Sequence, residues 1–416
     1  MRILGTTYTW LLVLLTMATA TSSAEPFRCI MYLTGYVHSM VWIKVERGEG
    51  VLTTKHGHIS QHDIVPPKNE LQQVSHVIIA FMRSEFFNVD EQPDKYPLFT
   101  SVSDVWNRVP DHTKVMVAIG GWGDTQGFEE AAKSEFSRKR WARQVAAMVA
   151  ATGADGVDID WEYPGGNRDD YKEIPNSERE WEIEAFVSLL HELRAAIGPK
   201  KILSAAVPGK EVDLMAFTSD TVPRIIKEID FLNVMTYDLM NRRNSLTKHH
   251  SGVSDSQDAI QRYVDRGAPP SKLNLGFGYY VKWFMTRQCD PANPVGCPTQ
   301  LLEDPKTGAD LGKTGGFSWH DETPQDVAES FSRARTEGTY DGDGSYYYWD
   351  AQELRWWTFD TKKSIRAKFD RVVPKLNVGG VFAWGVGEDA PDYEHFKTTA
   401  EEVRMVRSGD AAKDEL

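Results

Sequence analysis

The amino-acid sequence predicts a (β/α)8 barrel. Short apolar runs recur along the chain with helical stretches between them, an order that favours βα units around a parallel sheet. Eight such runs are found, at 28–34, 76–82, 114–119, 156–161, 201–207, 231–237, 273–280 and 379–384. Amphipathic helices are predicted at 138–151, 177–197, 256–266 and 393–406. Ser177 and Glu180 have the spacing of a capping box, which predicts that the second of these helices begins at Ser177. In such a barrel the functional site lies at the carboxyl ends of the strands.

Two long connections interrupt the strand–helix repeat. Residues 38–73 follow the first predicted strand, and residues 282–375 separate the seventh from the eighth. A connection as long as the second must carry its own structure inside a compact domain. Within it, Cys289 and Cys297 flank a turn-rich loop that can bring them together, so we expect a disulfide in an oxidising compartment.

The charge balance excludes several classes of protein. Over 416 residues the formal net charge is -13, whereas a surface that binds nucleic acid must be basic. No segment of about 18 consecutive apolar residues occurs, so no membrane span is predicted. His249 and His250 are adjacent, which is not a metal-ligand spacing, and we expect both to be exposed. Neither a metal nor another cofactor is predicted.

Both ends of the chain resemble targeting signals. Residues 1–24 contain Arg2, an apolar run at 10–15 and small residues up to Ala24, the order of a secretory signal peptide, with a buried amino-terminal helix as the alternative. Residues 413–416 read Lys-Asp-Glu-Leu, which the KDEL retrieval receptor of the endoplasmic reticulum binds, unless the tail is accidental. We therefore expect the barrel domain at 25–407 and a flexible tail at 408–416. The expected location is the lumen of the endoplasmic reticulum, with secretion as the alternative.

The clearest chemical signal is a run of acidic residues. Residues 155–164 read Asp-Gly-Val-Asp-Ile-Asp-Trp-Glu-Tyr-Pro, so Asp158, Asp160 and Glu162 occupy every second position. In a strand these three side chains share one face, each about 7 Å from the next. Carboxyls so placed repel one another, so at least one must be protonated or firmly hydrogen-bonded. An acidic loop or a divalent-metal site is the alternative, but such loops seldom alternate acids with Val, Ile and Trp. Asp155 lies three positions earlier and is interpreted as structural.

This run resembles the Asp-x-x-Asp-x-Asp-x-Glu motif of family 18 glycoside hydrolases, the chitinase family, including its trailing Trp-Glu-Tyr-Pro. Three further runs are similar to boxes of that family and follow in the family's order, at 118–122, 235–238 and 380–384. The resemblance covers roughly residues 27 to 406 and is to a fungal-type chitinase. It implies a small α+β insertion at 282–375 that forms one wall of the substrate groove.

The resemblance also implies a mechanism in which the substrate supplies the nucleophile. Glu162 is expected to be the general acid and then the base that activates water. Asp160 would bind the N–H of the sugar's 2-acetamido group and help to keep Glu162 protonated through like-charge coupling. Asp158 would share a proton with Asp160. Tyr237 would donate its hydroxyl to the acetamido carbonyl oxygen, which attacks the anomeric carbon.

Six residues are expected to contact the sugar chain. They are Trp384 as the floor under the reacting sugar, Asp238 and Met235 in the same pocket, Trp122, Tyr32 and Phe81. Tyr36 is the alternative to Tyr32. The sequence departs from the family at Ala118, where serine is usual, and at 280–282, where Tyr-Val-Lys replaces Tyr-Gly-Arg. Lys282 keeps the charge of the arginine but loses its bidentate fork, which puts one sugar contact in doubt.

These expectations define an endo-acting chitinase that cleaves β-1,4 bonds between N-acetylglucosamine units with retention at the anomeric carbon. Its partner would be chitin or a chito-oligosaccharide. One alternative is an endo-β-N-acetylglucosaminidase that cuts the core of N-glycans, which a lumenal location favours. Another is a catalytically inactive chitin-binding lectin, although such lectins typically lack the acid that Glu162 supplies.

Overall fold

Eight parallel strands close into a barrel. The computed structural model describes residues 26–35 and 63–409, and its thirteen strands are numbered in chain order. The barrel consists of β1 (Arg28–Thr34), β2 (His76–Met82), β3 (Lys114–Gly120), β4 (Gly156–Asp160), β5 (Ile202–Pro208), β6 (Phe231–Met235), β7 (Leu273–Gly278) and β13 (Gly380–Trp384). Neighbours pair in chain order, and β13 closes the barrel between β7 and β1. The predicted (β/α)8 barrel is confirmed, and each predicted strand lies within two residues of its expected bounds.

Helices alternate with the barrel strands and cover the outside of the barrel. The α-helices are α1 (Val102–Arg108), α2 (Gln126–Ala132), α3 (Glu135–Thr152), α4 (Trp181–Ile197), α5 (Thr221–Glu228), α6 (Val253–Asp265), α7 (Ala328–Glu337), α8 (Lys362–Arg371), α9 (Val373–Leu376) and α10 (Glu394–Ser408). The four helices predicted from apolar periodicity correspond to α3, α4, α6 and α10. In the described part of the chain, no helix is both long and apolar enough to cross a membrane.

Alternation along the strands divides the hydrophobic core into two layers. In β4, Val157 and Ile159 point outward and belong to the large layer between the barrel and its helices. The opposite positions face the barrel interior, where Tyr32, Ala118 and Met235 belong to a smaller cluster. Asp158 and Asp160 alternate with the outward-pointing residues and therefore lie on the interior side. The period of two places carboxyls, rather than aliphatic groups, in the middle of the barrel.

A second sheet lies between β7 and β13. It contains β8 (Tyr280–Met285), β9 (Thr314–Ser318), β10 (Thr339–Tyr340), β11 (Tyr346–Asp350) and β12 (Arg355–Thr358) in the antiparallel order β10-β11-β12-β8-β9. Helix α7 packs on this sheet through Phe331, which contacts Phe317 and Trp357. Because β8 starts at Tyr280, the seventh barrel strand is two residues shorter than predicted. Cys289 and Cys297 form a disulfide between β8 and β9.

The capping box predicted at Ser177 is wrong. A 3-10 turn occupies Asn176–Glu178, and α4 begins at Trp181 after Glu180, whose side chain makes no capping hydrogen bond. The reason is tertiary, because Arg179 forms a bidentate pair with Asp170 at 2.7 and 2.6 Å. That contact fixes the chain before the helix and outweighs the local capping preference.

Candidate active site

The acidic run lies at the carboxyl end of β4, where the chain passes very close to β3. Asp160 is the last residue of β4 and pairs in register with Gly120. Gly120 has a φ of +119°, and a Cβ built there would lie 2.1 Å from the carbonyl oxygen of Asp160. Only glycine fits this position, so the glycine of the third-strand box allows Asp160 to reach the barrel mouth. Glu162 follows two residues later, and its side chain is half-buried.

Asp158 is fully buried and held by three side chains from three strands. Its carboxylate accepts hydrogen bonds from the Tyr32 hydroxyl at 2.7 Å, from the Ser204 hydroxyl at 2.5 Å and from the Asn233 amide at 3.4 Å. Burial raises the pKa of Asp158 to about 6, and these hydrogen bonds limit the rise. Ala118 pairs in register with Asp158 on one side, while Ser204 pairs with it on the other. Ala118 has no hydroxyl to offer Asp158, but Ser204 on β5 supplies one from the other side.

Asp160 is the less satisfied of the two buried aspartates. Its Oδ1 has no hydrogen-bond partner among the described residues. Burial raises the pKa of Asp160 well above its ordinary value, and the neighbouring charges of Glu162 and Asp158 raise it further. None of the described hydrogen bonds joins Asp158 to Asp160. We predicted that these two residues share a proton, but the Asp158 carboxylate is already engaged by Tyr32 and Ser204. An oxygen of Asp160 therefore stays available for another group.

The surroundings of Glu162 favour the protonated form that acid catalysis requires. Burial raises the pKa of Glu162 to about 8, a hydrogen bond with Tyr163 opposes the rise, and the charges of Asp238 and Asp213 add to it. The direction agrees with the predicted role as general acid. Removal from water is the largest cause, and the like-charge coupling that we expected to help is found as a further rise in the pKa of Asp160 caused by Glu162. The raised pKa favours the protonated form of Glu162, which is the form that a general acid needs.

The run at 235–238, at the end of β6, borders the acidic residues on one side. Tyr237 is half-buried and packs edge-on against Tyr280 and Phe382, at centroid distances of 6.1 and 5.9 Å. Asp238 adopts a left-handed backbone with φ of 50° and pairs with the Lys282 ammonium at 2.9 Å. Burial is the largest single effect and tends to raise the pKa of Asp238, but the charges and hydrogen bonds of its neighbours, first among them the Lys282 ammonium, together outweigh it, so the pKa lies below its ordinary value. Lys282 thus helps to keep Asp238 ionised beside Glu162.

Asp238→Asn should move the alkaline limb of the pH–rate profile to lower pH. Glu162 must be protonated to act, so activity falls as the pH rises through its pKa of about 8. The Asp238 charge raises that pKa, and the substitution removes the charge, so protonated Glu162 is lost at lower pH. The profile of kcat/KM against pH measures the shift, and Asp392→Asn is the control, because Asp392 is exposed and pairs with Lys397. An unchanged alkaline limb would contradict the coupling.

Aromatic side chains form the apolar part of the mouth. Trp384 is half-buried, and Phe81 stacks on it with centroids 5.3 Å apart and planes 24° apart. Trp122 is 43% exposed and lies edge-on to Tyr163. Met235 is buried in the barrel interior. The peptide bonds Ala80–Phe81, Glu162–Tyr163 and Trp384–Gly385 are cis.

Tyr32 has a different position from the sugar contact that we predicted. Only 1% of its surface is exposed, and its hydroxyl donates to Asp158 while accepting from the Asn233 amide at 2.9 Å. Tyr32 therefore supports Asp158 from inside the barrel, because its hydroxyl is the polar partner that a buried carboxyl needs. Tyr36, the alternative on the first strand, lies outside the described residues.

The adjacent histidines were predicted to be exposed, and this prediction is wrong. His249 bonds Asp341 of the insertion through Nε2 at 2.6 Å, and its ring packs 5.9 Å from that of Trp356. His250 is fully buried, with Nδ1 3.8 Å from Asp238 Oδ1. Burial lowers the pKa of His250 to about 3, so the ring is neutral. Within 26–35 and 63–409, no group of three or more His, Cys, Asp and Glu side chains could hold a metal ion.

Three polar residues of the site were missed by the sequence analysis. Ser204 and Asn233 contact Asp158, and the Asn274 amide donates to Asn233 at 2.9 Å. Each is a single polar residue within an apolar strand, and each is fully buried. An isolated amide or hydroxyl in a buried strand needs a partner, so this signal was present in the sequence.

The chain belongs to glycosyl hydrolases family 18, whose sequence model matches residues 51–389. Chitotriosidase-1 from Mus musculus is 27% identical over 333 residues, which are 74% of this chain and 66% of that protein. Chitinase 63 from Streptomyces plicatus is 26% identical over 302 residues, which are 68% of this chain and 44% of that protein. The chain thus spans less than two thirds of the length of these curated relatives. The prediction of a glycoside hydrolase is confirmed at the level of the family.

Solved structures share the fold. A chitinase from Rhizomucor miehei aligns with a TM-score of 0.65 and 17% identity over 91% of this chain and 100% of that chain. A plant class V chitinase mutant from Cycas revoluta, in complex with (GlcNAc)3, aligns with a TM-score of 0.63 and 20% identity over 90% and 99% of the two chains. At these identities the likeness establishes the barrel architecture alone.

Proposed function

We propose that this protein hydrolyses the β-1,4 bonds between N-acetylglucosamine units of chitin, by a retaining and substrate-assisted mechanism. The observation that carries the proposal is the state of two neighbouring carboxyls. Burial raises the pKa of Glu162, which favours its protonated form, and one oxygen of Asp160 has no hydrogen-bond partner among the described residues. One group can give a proton to a leaving oxygen, and the other can bind an N–H. The names of the family relatives support the choice of substrate.

In the first step Glu162 gives its proton to the glycosidic oxygen, and the bond from that oxygen to the anomeric carbon breaks. The carbonyl oxygen of the sugar's 2-acetamido group bonds to the anomeric carbon and closes a positively charged oxazolinium ring. Asp160 holds the acetamido N–H, and the Tyr237 hydroxyl orients the carbonyl oxygen before attack. The half-buried Trp384 ring forms an apolar floor under the reacting sugar.

In the second step Glu162, now a carboxylate, takes a proton from water. The water oxygen bonds to the anomeric carbon from the side that the leaving group occupied, and the bond to the acetamido oxygen breaks. This step restores the acetamido group and the protonated Glu162. Two inversions give a product with the original β configuration.

An activity screen tests the proposal against its alternatives. Purified protein should cleave N-acetylglucosamine hexamers and release β-anomers first, whereas a high-mannose glycoprotein should stay intact. Endo action, which we also propose, predicts internal fragments of several lengths rather than one repeated product. Cleavage of the glycoprotein alone would identify an endo-β-N-acetylglucosaminidase, and binding without cleavage of either substrate would identify a lectin.

Residence in the secretory pathway also stays a proposal, supported by the sequence patterns at 1–24 and 413–416. The fungal type stays a proposal that rests on the resemblance of the motifs. Deleting 413–416 should release the protein into the medium of a eukaryotic host, because the retrieval receptor binds this tetrapeptide. Activity should not change, since the last described helix, α10, ends at Ser408. Immunoblots of cells and medium give the measurement, and continued retention after the deletion would contradict the proposal.

A further inference from the structure

A small cavity adjoins Glu162 on the side of the loop that follows β4. Its volume is about 150 Å³, and its lining includes Trp122, Glu162 and the consecutive residues 168–170. Under the proposed function Glu162 protonates the leaving oxygen, so the departing sugar must lie next to this carboxyl. None of Asp160, Tyr237 and Trp384, which we place around the acetamido group, lines this cavity. The cavity is therefore the place for the leaving-group sugar, and one loop supplies three of its wall residues.

Each of these three wall residues is anchored by charge. Arg168, whose side chain is 4% exposed, pairs with Glu129 and Glu182. Asp169 pairs with Arg242 at 3.0 Å, and Asp170 forms the bidentate pair with Arg179. Charge-assisted contacts of this kind are stronger than neutral ones, above all where they are buried.

Three further side chains tie this loop to two other walls of the mouth, and we call Tyr171, Arg243 and Glu303 the clamp. Arg243, after β6, donates to the carbonyl oxygens of Asn167 and Arg168, each at 2.9 Å. Its guanidinium also lies 4.0 Å from the centroid of the Tyr171 ring. The Tyr171 hydroxyl donates to Glu303, which belongs to the insertion and is 8% exposed. The clamp thus joins the loop after β4, the loop after β6 and the insertion.

Neighbouring contacts reinforce the same junction. Lys172 pairs with Glu303 at 2.9 Å and donates to the Asp304 carbonyl oxygen at 3.1 Å. A Cβ built at Gly308, which has a φ of +75°, would lie 3.2 Å from the Tyr171 ring. The insertion therefore packs closely on the Tyr171 ring as well as bonding its hydroxyl.

We propose that the clamp holds the 168–170 wall in the geometry that receives a leaving-group sugar, which makes Tyr171, Arg243 and Glu303 positioning residues for oligosaccharide substrates. If the wall is already ordered before the sugar binds, binding loses less conformational entropy. The wall also sets the angle at which the glycosidic oxygen meets Glu162, and misplacement of about 1 Å at this point lowers the rate about 100-fold. A flat aryl leaving group lacks the hydroxyl and acetamido groups that residues 168–170 can bind. The clamp should therefore matter for sugar leaving groups and little for aryl ones.

The test compares Arg243→Ala on two substrates with the same glycon. For the N-acetylglucosamine tetramer, cleaved in its middle, kcat/KM should fall about 10–100-fold. For the aryl glycoside of N-acetylchitobiose, kcat/KM should change less than about threefold. Arg333→Ala is the matched control, because Arg333 pairs with Asp350 and Glu353 within the insertion, and it should leave both values unchanged.

Tyr171→Phe gives a second and milder variant, since it removes the hydroxyl bond to Glu303 and keeps the ring under Arg243. It should lower kcat/KM for the tetramer by a smaller factor than Arg243→Ala does. If Arg243→Ala does not fold, Tyr171→Phe tests the inference in its place. Equal losses on both substrates would show a merely structural clamp, and no loss on the tetramer would show that the clamp does not position the sugar. Either result overturns the inference. A wild-type protein that cleaves neither substrate would instead contradict the proposed function.

Discussion

Replacing Glu162 with glutamine should abolish hydrolysis and leave substrate binding largely intact. The amide has the shape of the protonated carboxyl but cannot release a proton to the glycosidic oxygen. General acid catalysis contributes about 10²–10⁴-fold, so kcat should fall at least about 100-fold. Steady-state rates on N-acetylglucosamine oligomers measure the loss, and calorimetric titration with the tetramer measures the binding that remains.

Glu173→Gln is the matched control for this variant. Glu173 lies in the same loop as the 168–170 wall, but its side chain is exposed, and the same change of charge should leave kcat unaltered. Near wild-type turnover of Glu162→Gln would remove Glu162 from the role of acid. Loss of binding together with turnover would instead show that the amide disturbs the pocket.

Asp160→Asn should produce the next largest loss, about 10²–10³-fold in kcat. The oxazolinium ring that forms beside Asp160 is positively charged, and this charge favours the ionised form of a carboxyl whose pKa is otherwise raised. The ionised carboxyl then stabilises the ring in a site removed from water. An amide keeps the hydrogen-bond acceptor and the size of the side chain, but it loses the charge. The binding of substrate should change much less than kcat, because the full positive charge appears only after the bond breaks.

Asp155→Asn tests whether this loss is specific to the barrel mouth. Asp155 precedes the same strand at its opposite end, where Oδ2 accepts the backbone N–H of Val115 at 2.9 Å. In this fold the amino-terminal end of a strand contributes to stability rather than to chemistry. The control should lower the melting temperature and leave kcat within about twofold. Equal kcat losses for the two variants would contradict the role given to Asp160.

The barrel could be predicted because its strands obey a simple period. Val157 and Ile159 alternate with Asp158 and Asp160, and the structure places the first pair under the helices and the second pair inside the barrel. Where tertiary contacts outweigh local preference, the sequence analysis failed. The capping box at Ser177 is absent because Arg179 is drawn to Asp170, a partner that no local pattern reveals.

The residues proposed for catalysis could be predicted from the sequence, but the residues that hold them in place could not. Family boxes identify Glu162, Asp160 and Tyr237, but they do not show that Tyr32 points into the barrel toward Asp158. The adjacent histidines were missed for a similar reason. His250 is polar, so composition favours exposure, yet the insertion covers it and holds its neighbour through Asp341. Burial by a distant segment is not readable from local sequence.

The role of the substrate's own acetamido group is tested most directly by comparing two oligomers that differ only at the reacting sugar. One carries N-acetylglucosamine at that position and the other carries glucosamine, whose amine has no carbonyl oxygen to attack the anomeric carbon. The measurement is kcat/KM for cleavage at that bond. If the acetamido oxygen is the nucleophile, the first oligomer is cleaved and the second is not. Comparable cleavage of the two would require a carboxylate nucleophile and would contradict the roles assigned to Asp160 and Tyr237.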